Sequence, residues 1–108
     1  MAIPKQVQER VKEVVLRFNE KHFGGRKRDV EYIPRFGRKY LYLDRSDYGT
    51  VGPVCRLRYT GNFDKWEFAI FKYSSETYDP DEWMFPGSDH VDGTIEGAML
   101  AGLEAYSV

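Results

Sequence analysis

Cysteine occurs once in these 108 residues, at Cys55. An intrachain disulfide and a thiolate metal cluster are therefore excluded, and the reducing cytoplasm is the expected compartment. Long apolar runs are absent as well. None exceeds four residues, as in Tyr40-Leu41-Tyr42-Leu43 and Phe68-Ala69-Ile70-Phe71. A spanning helix needs about 20 such residues and the core of a secretory leader about 7–15. The chain is expected to be neither membrane-inserted nor exported. Positive charge is missing from the last third: residues 74–108 hold eight Asp or Glu and no Lys or Arg. Residues 1–45 lean the other way, with 12 Lys/Arg against 6 Asp/Glu, so a net charge of -1 hides two poles. The poles answer each other within the fold, or each faces a different partner.

What is present is globular: 42% hydrophobic, 31% charged and 16% aromatic residues. The length fits one domain with one core. Val7, Val11, Val14, Val15 and Phe18 recur along one helical stripe, so a helix is expected over about 4–23. Pro4 suits its first position and Gly24-Gly25 its end. A second stripe of Ile95, Ala98, Met99, Gly102, Leu103 and Tyr106, with Thr94 as N-cap, predicts a helix over about 94–106. Gly97 and Gly102 inside it would let a neighbouring surface, the sheet or a second copy of the chain, come close.

Between the helices lie short β-type runs at about 29–33 (stopped by Pro34), 38–44, 53–60 and 65–73. Ser46 to Gly49 and then Gly52-Pro53 mark a loop. The connections are too short for parallel crossovers. The expectation is an α+β fold: an N-terminal helix, an antiparallel meander of three to four strands and a C-terminal helix, with both helices on one face of the sheet. Residues 74–92 carry six acids with Tyr78, Trp83 and Phe85, and read as an ordered acidic loop. The helix–sheet–helix order resembles the double-stranded-RNA-binding domain in topology alone. That family's second helix begins with basic residues, whereas Asp92-Gly93-Thr94-Ile95-Glu96 is acidic here.

Strand parity supplies the functional expectation. Alternate side chains point to opposite faces. One face collects Leu41, Leu43, Cys55, Leu57, Tyr59, Trp66, Phe68 and Ile70, as a core should. The other collects Tyr40, Tyr42, Phe71 and Tyr73 beside Arg38, Arg56 and Arg58. An aromatic patch of that size calls for a cover. Three covers compete: residues 74–92 folded back, with Trp83 or Phe85 on the tyrosines and acids on the arginines; a second subunit; or single-stranded nucleic acid, with bases on the rings and phosphates on the cations. The leading reading is a non-catalytic binding or interaction domain, acting through Tyr40, Tyr42, Arg56, Arg58, Phe71 and Tyr73 and able to pair with a second copy or a protein partner. Nucleic-acid binding on that face is the first alternative, not favoured.

The second alternative is a small metal-dependent hydrolase using the acidic loop 79–92, with Asp89, His90 and Asp92, joined by Asp79 and Asp81. No EF-hand spacing supports it. Cys55 reads as a buried apolar residue and His22 as a helix-end cation. Arg26-Lys27-Arg28 reads as a solvated basic loop. No cofactor or resident metal is expected, since no phosphate-cradling glycine loop or recognised ligand spacing is present.

Overall fold

The computed structural model describes residues 2–24 and 29–108. The basic cluster at 26–28 lies outside them. Helix α1 runs from Lys5 to Phe23, and Pro4 stands one position earlier than expected, at the N-cap. Val11, Val15 and Phe18 are buried, so the apolar stripe faces the core. Gly24 ends the helix at φ 87°, a conformation glycine adopts without strain.

Five strands follow: β1 (Val30–Gly37), β2 (Tyr40–Asp47), β3 (Thr50–Arg58), β4 (Glu67–Lys72) and β5 (Thr77–Asp79). All neighbours are antiparallel and the spatial order is β1-β2-β3-β4-β5. Helix α2 (Ile95–Ala105) closes the chain after a single 3₁₀ turn at Ser88–His90. This is the expected α+β meander, with five strands in place of three to four.

Three differences from the sequence reading have physical causes. First, β1 continues through Pro34 to Gly37. It is an edge strand, where a missing N–H is tolerated. The buried Asn19 of α1 takes up that edge: its Nδ2 donates to Tyr32 O (3.0 Å) and its Oδ1 accepts from Tyr32 N (2.8 Å). Pro34, two residues on, presents no donor along the same side, so neither position offers an N–H for further pairing. Second, the loop expected at 46–53 is a two-residue hairpin turn. Tyr48 and Gly49 both have positive φ, 53° and 92°, as tight hairpins require. Pairing therefore runs up to Asp47 and Thr50. Gly52-Pro53 falls inside β3, where the register shifts between Leu43 and Asp44. That bulge inserts Val54, so Val54 and Cys55 are both buried. Third, the acidic loop contains β5, paired with β4 from Ile70↔Asp79 to Lys72↔Thr77.

The core lies between the helices and one sheet face. It holds every residue assigned to that face by parity, with Leu41, Leu43 and Cys55 fully enclosed. The glycines of α2 are fitted to their surroundings. A Cβ at Gly102 would stand 2.4 Å from the Tyr32 hydroxyl oxygen and 2.6 Å from a Val54 methyl. One at Gly97 would meet Asp92 and the His90 carbonyl. The close approach is to the chain itself.

Arg45 is an inner-face residue that the hydrophobic pattern hides. Only 3% exposed, it meets Asp47 with two guanidinium nitrogens (2.8 and 3.2 Å) and donates to Gly102 O and Tyr106 O. Helix α2 has no basic residue in its last turn. Arg45 supplies that cation from the sheet, giving Tyr106 O a donor and adding a second to Gly102 O, which also accepts from Tyr106 N.

Candidate functional site: the outer face of the sheet

The face opposite the helices carries the predicted tyrosines and arginines. Cross-strand register sets Tyr42 between Arg35 of β1 and Arg56 of β3, and Tyr40 opposite Arg58. The guanidinium of Arg35 lies 4.3 Å from the Tyr42 ring centre, and that of Arg56 lies 4.3 Å from the Tyr40 ring. Tyr40 and Tyr42 themselves are 6.0 Å apart. Each cation over a ring is worth about 0.5–1 kcal/mol at a partly exposed site. Together they hold both elements in place before any ligand arrives.

Part of this face is covered by the chain. Parity in β5 turns Tyr78 outward, and its ring packs 5.5 Å from Tyr42, 5.0 Å from Phe71 and 5.4 Å from the Arg56 guanidinium. Burial pushes the Tyr78 hydroxyl above its ordinary pKa; the charge of Asp44 adds to this and Arg35 opposes it. The expected covers, Trp83 and Phe85, are elsewhere. Both pack on Phe68, 6.2 and 5.9 Å away, on the helix side. The acids do not reach the arginines either: Asp79 and Glu82 pair with Lys72 at 3.7 and 3.2 Å. The cause is again parity, because Lys72 shares the inner face with Phe68 and Ile70 and draws the acidic segment below the sheet.

Tyr73 also departs from the cluster. Its hydroxyl donates to Pro53 O (2.8 Å), and its ring packs edge-on against Phe71 and Tyr106, closing the end of the sheet. Tyr40, Tyr42, Arg56 and Phe71 thus form one surface with Tyr78 and Arg35, both missed in the sequence as members of the face. Alternation along 77–79 and along 30–37 is the signal that places them.

Charge pairing divides the surface. Arg35 is neutralised by Asp44 (3.1 Å) and Arg58 by Glu67. Arg38, Lys39 and Arg56 have no carboxylate within 4.0 Å among the described residues. Lys39 and Arg56 lie 5.5 and 4.3 Å from the Tyr40 ring centre, and Arg38 lies next in the chain to Lys39. Beside them opens a groove of about 640 Å³, lined by Ala2, Gly37, Arg38, Lys39, Tyr40 and Tyr42. Its wall is fixed by the backbone: Ile3 N donates to Arg38 O (3.0 Å) and Tyr59 N to Lys39 O (2.9 Å).

The acidic loop has no comparable arrangement. Asp92 Oδ1 accepts from the amide and hydroxyl of Thr94 (3.0 and 2.6 Å), and Thr94 Oγ1 caps α2 at Gly97 N. Those bonds hold the Asp92 carboxyl below its ordinary pKa. His90 meets Glu104 at 3.1 Å. No three His, Cys, Asp or Glu side chains converge among the described residues, so the metal-dependent reading has no ligand set there. Cys55 is enclosed, and burial raises its thiol pKa, away from nucleophilic use.

Fold and site together define an α+β domain with one sheet face sealed by helices and the other presenting an aromatic, cationic surface. Among the described residues no helix is long and apolar enough to cross a membrane. Comparison with protein-family models, with curated proteins and with solved structures gives no significant match.

Proposed function

We propose that the protein is a binding module that takes an anionic partner on the outer face of its sheet, at the Tyr40 end. One observation carries this reading. Arg38 and Lys39 line an open groove and Arg56 lies beside it over the Tyr40 ring, all three without carboxylate partners among the described residues, while the other two arginines of the face are paired with Asp44 and Glu67. Unpaired cations that share a rigid, half-buried aromatic surface are arranged for an external anion. The strands bring them to one place, and the hydrogen bonds at Arg38 and Lys39 keep the groove open.

The test is a ¹H–¹⁵N NMR titration with inorganic polyphosphate at low salt. Shifts confined to residues 37–42 and 56–58 are expected. No shift at low salt, or shifts centred on the helix face, would overturn the reading.

A further inference from the structure

We infer that the partner is a single-stranded nucleic acid, with bases against Tyr40 and Tyr42 and phosphates on Arg38, Lys39 and Arg56. This rests on the anion-binding reading above and adds the class of ligand. Two observations support it. The groove joins flat rings to unpaired cations within one opening, and a nucleotide strand offers flat bases and phosphates in alternation. A sheet face reaches bases only when they are splayed out, which favours single strands over duplexes.

A second copy of this chain fits less well, although its last third is acidic. Of the eight acids there, Asp79 and Glu82 are paired with Lys72, Asp92 accepts from the amide and hydroxyl of Thr94 and Glu104 meets His90. The remaining four, at 76, 81, 89 and 96, belong to separate parts of the fold: the β4–β5 connection, the loop after β5, the 3₁₀ turn and the first turn of α2.

The energetics give a quantitative signature. Three phosphate contacts to a single strand predict a slope of about -2 for log affinity against log salt. Affinity should then fall about twentyfold between 50 and 200 mM salt. Stacking on one tyrosine is worth at least about a fivefold change in affinity on its removal.

The experiment is fluorescence anisotropy with a labelled 12-nucleotide oligothymidylate, with inorganic polyphosphate as the base-free polyanion. Variants are Tyr40→Ala, Arg56→Gln and Lys39→Gln, each checked for native circular dichroism. The last sits in a half-buried turn with its side chain free of hydrogen bonds among the described residues, and serves where another disturbs folding. The inference expects oligothymidylate binding with the stated slope. Tyr40→Ala should weaken it at least about fivefold and weaken polyphosphate binding by a smaller factor, through the loss of the ring that holds Arg56. Arg56→Gln and Lys39→Gln should weaken both ligands. Equal binding of both ligands with no effect of Tyr40→Ala would overturn the nucleic-acid inference and leave the anion-binding reading standing. Binding of polyphosphate alone would do the same, as would concentration-dependent self-association that all three variants abolish. Failure of both ligands to bind at low salt, or binding that none of the variants alters, would remove the inference and the reading together.

Discussion

Replacing Arg45 by alanine should cost more stability than any other single polar change in the chain. The side chain is 3% exposed and makes four contacts: two to Asp47, one to Gly102 O and one to Tyr106 O. Arg45→Ala strands the Asp47 carboxylate and removes the only side-chain donor among the described residues that reaches the last turn of α2. Breaking a buried ion pair by deleting one partner costs about 3–5 kcal/mol. Asp47 is 36% exposed and regains water, which places the loss at the lower end, about 3 kcal/mol. For a domain near 100 residues that corresponds to a fall in Tm of roughly 12–15 °C. Urea unfolding followed by circular dichroism measures it. The double variant Arg45→Met/Asp47→Ala should recover part of the loss, because it removes the stranded charge and refills the volume. A loss below about 1 kcal/mol for Arg45→Ala would refute the assignment of Arg45 as the cap of α2.

Four further outcomes follow from the same contacts. Asn19→Ala exposes the Tyr32 backbone pair at the β1 edge and should cost about 1–3 kcal/mol in urea unfolding; a neutral change would show that the edge is held otherwise. Gly102→Ala should destabilise by about 1–3 kcal/mol despite alanine's better helix propensity. The Tyr32 hydroxyl that would meet the new methyl is held by Met99 O (2.7 Å), and a gain in Tm would contradict that packing. Because the Asp92 carboxyl is depressed in the fold, its stabilising effect is complete above the ordinary aspartate pKa of about 4 and is lost as pH falls through the lower native value. Asp92→Asn should therefore flatten the acid limb of a Tm-against-pH curve, and an unchanged limb would count against the Thr94 bonds. Finally, the enclosed Cys55 should resist an aromatic disulfide reagent in the native state and react once urea unfolds the chain. Rapid native reaction would contradict its burial.

Much of the fold was legible because periodicity reports burial. The valine stripe of α1, the small-residue stripe of α2 and the alternation of Leu41 and Leu43 in β2 and of Cys55 and Leu57 in β3 all face the core as their spacing requires. The elements that sequence reasoning missed are those where tertiary context overrides local chemistry. Pro34 stops a strand by its own preference, yet an edge strand absorbs it. Gly52-Pro53 has the composition of a turn, yet a bulge beside Asp44 keeps it in the sheet. Arg45 and Asn19 are polar residues on inward positions, and nothing short of the packed helices shows what satisfies them.

The outer face was legible through strand parity alone, which placed Tyr40, Tyr42, Arg56 and Phe71 together. Its cover was not, because the short β5 and the pull of Lys72 on Asp79 and Glu82 depend on a register that composition does not encode. Tyr78 occupies the place expected for Trp83 or Phe85, and the charge left over at Tyr40 emerges only after the ion pairs of Arg35 and Arg58 are known.

The central claim is that Tyr40 stands on the solvent-reached part of the outer face while its neighbour Leu41 is sealed under the helices. Thiol labelling of Tyr40→Cys and Leu41→Cys tests it directly, with the enclosed Cys55 as a silent background. The account predicts modification of the Tyr40→Cys protein at the rate of an open thiol, independent of protein concentration, and protection of the Leu41→Cys protein until unfolding. Protection at position 40, or equal reactivity at both positions, would contradict it.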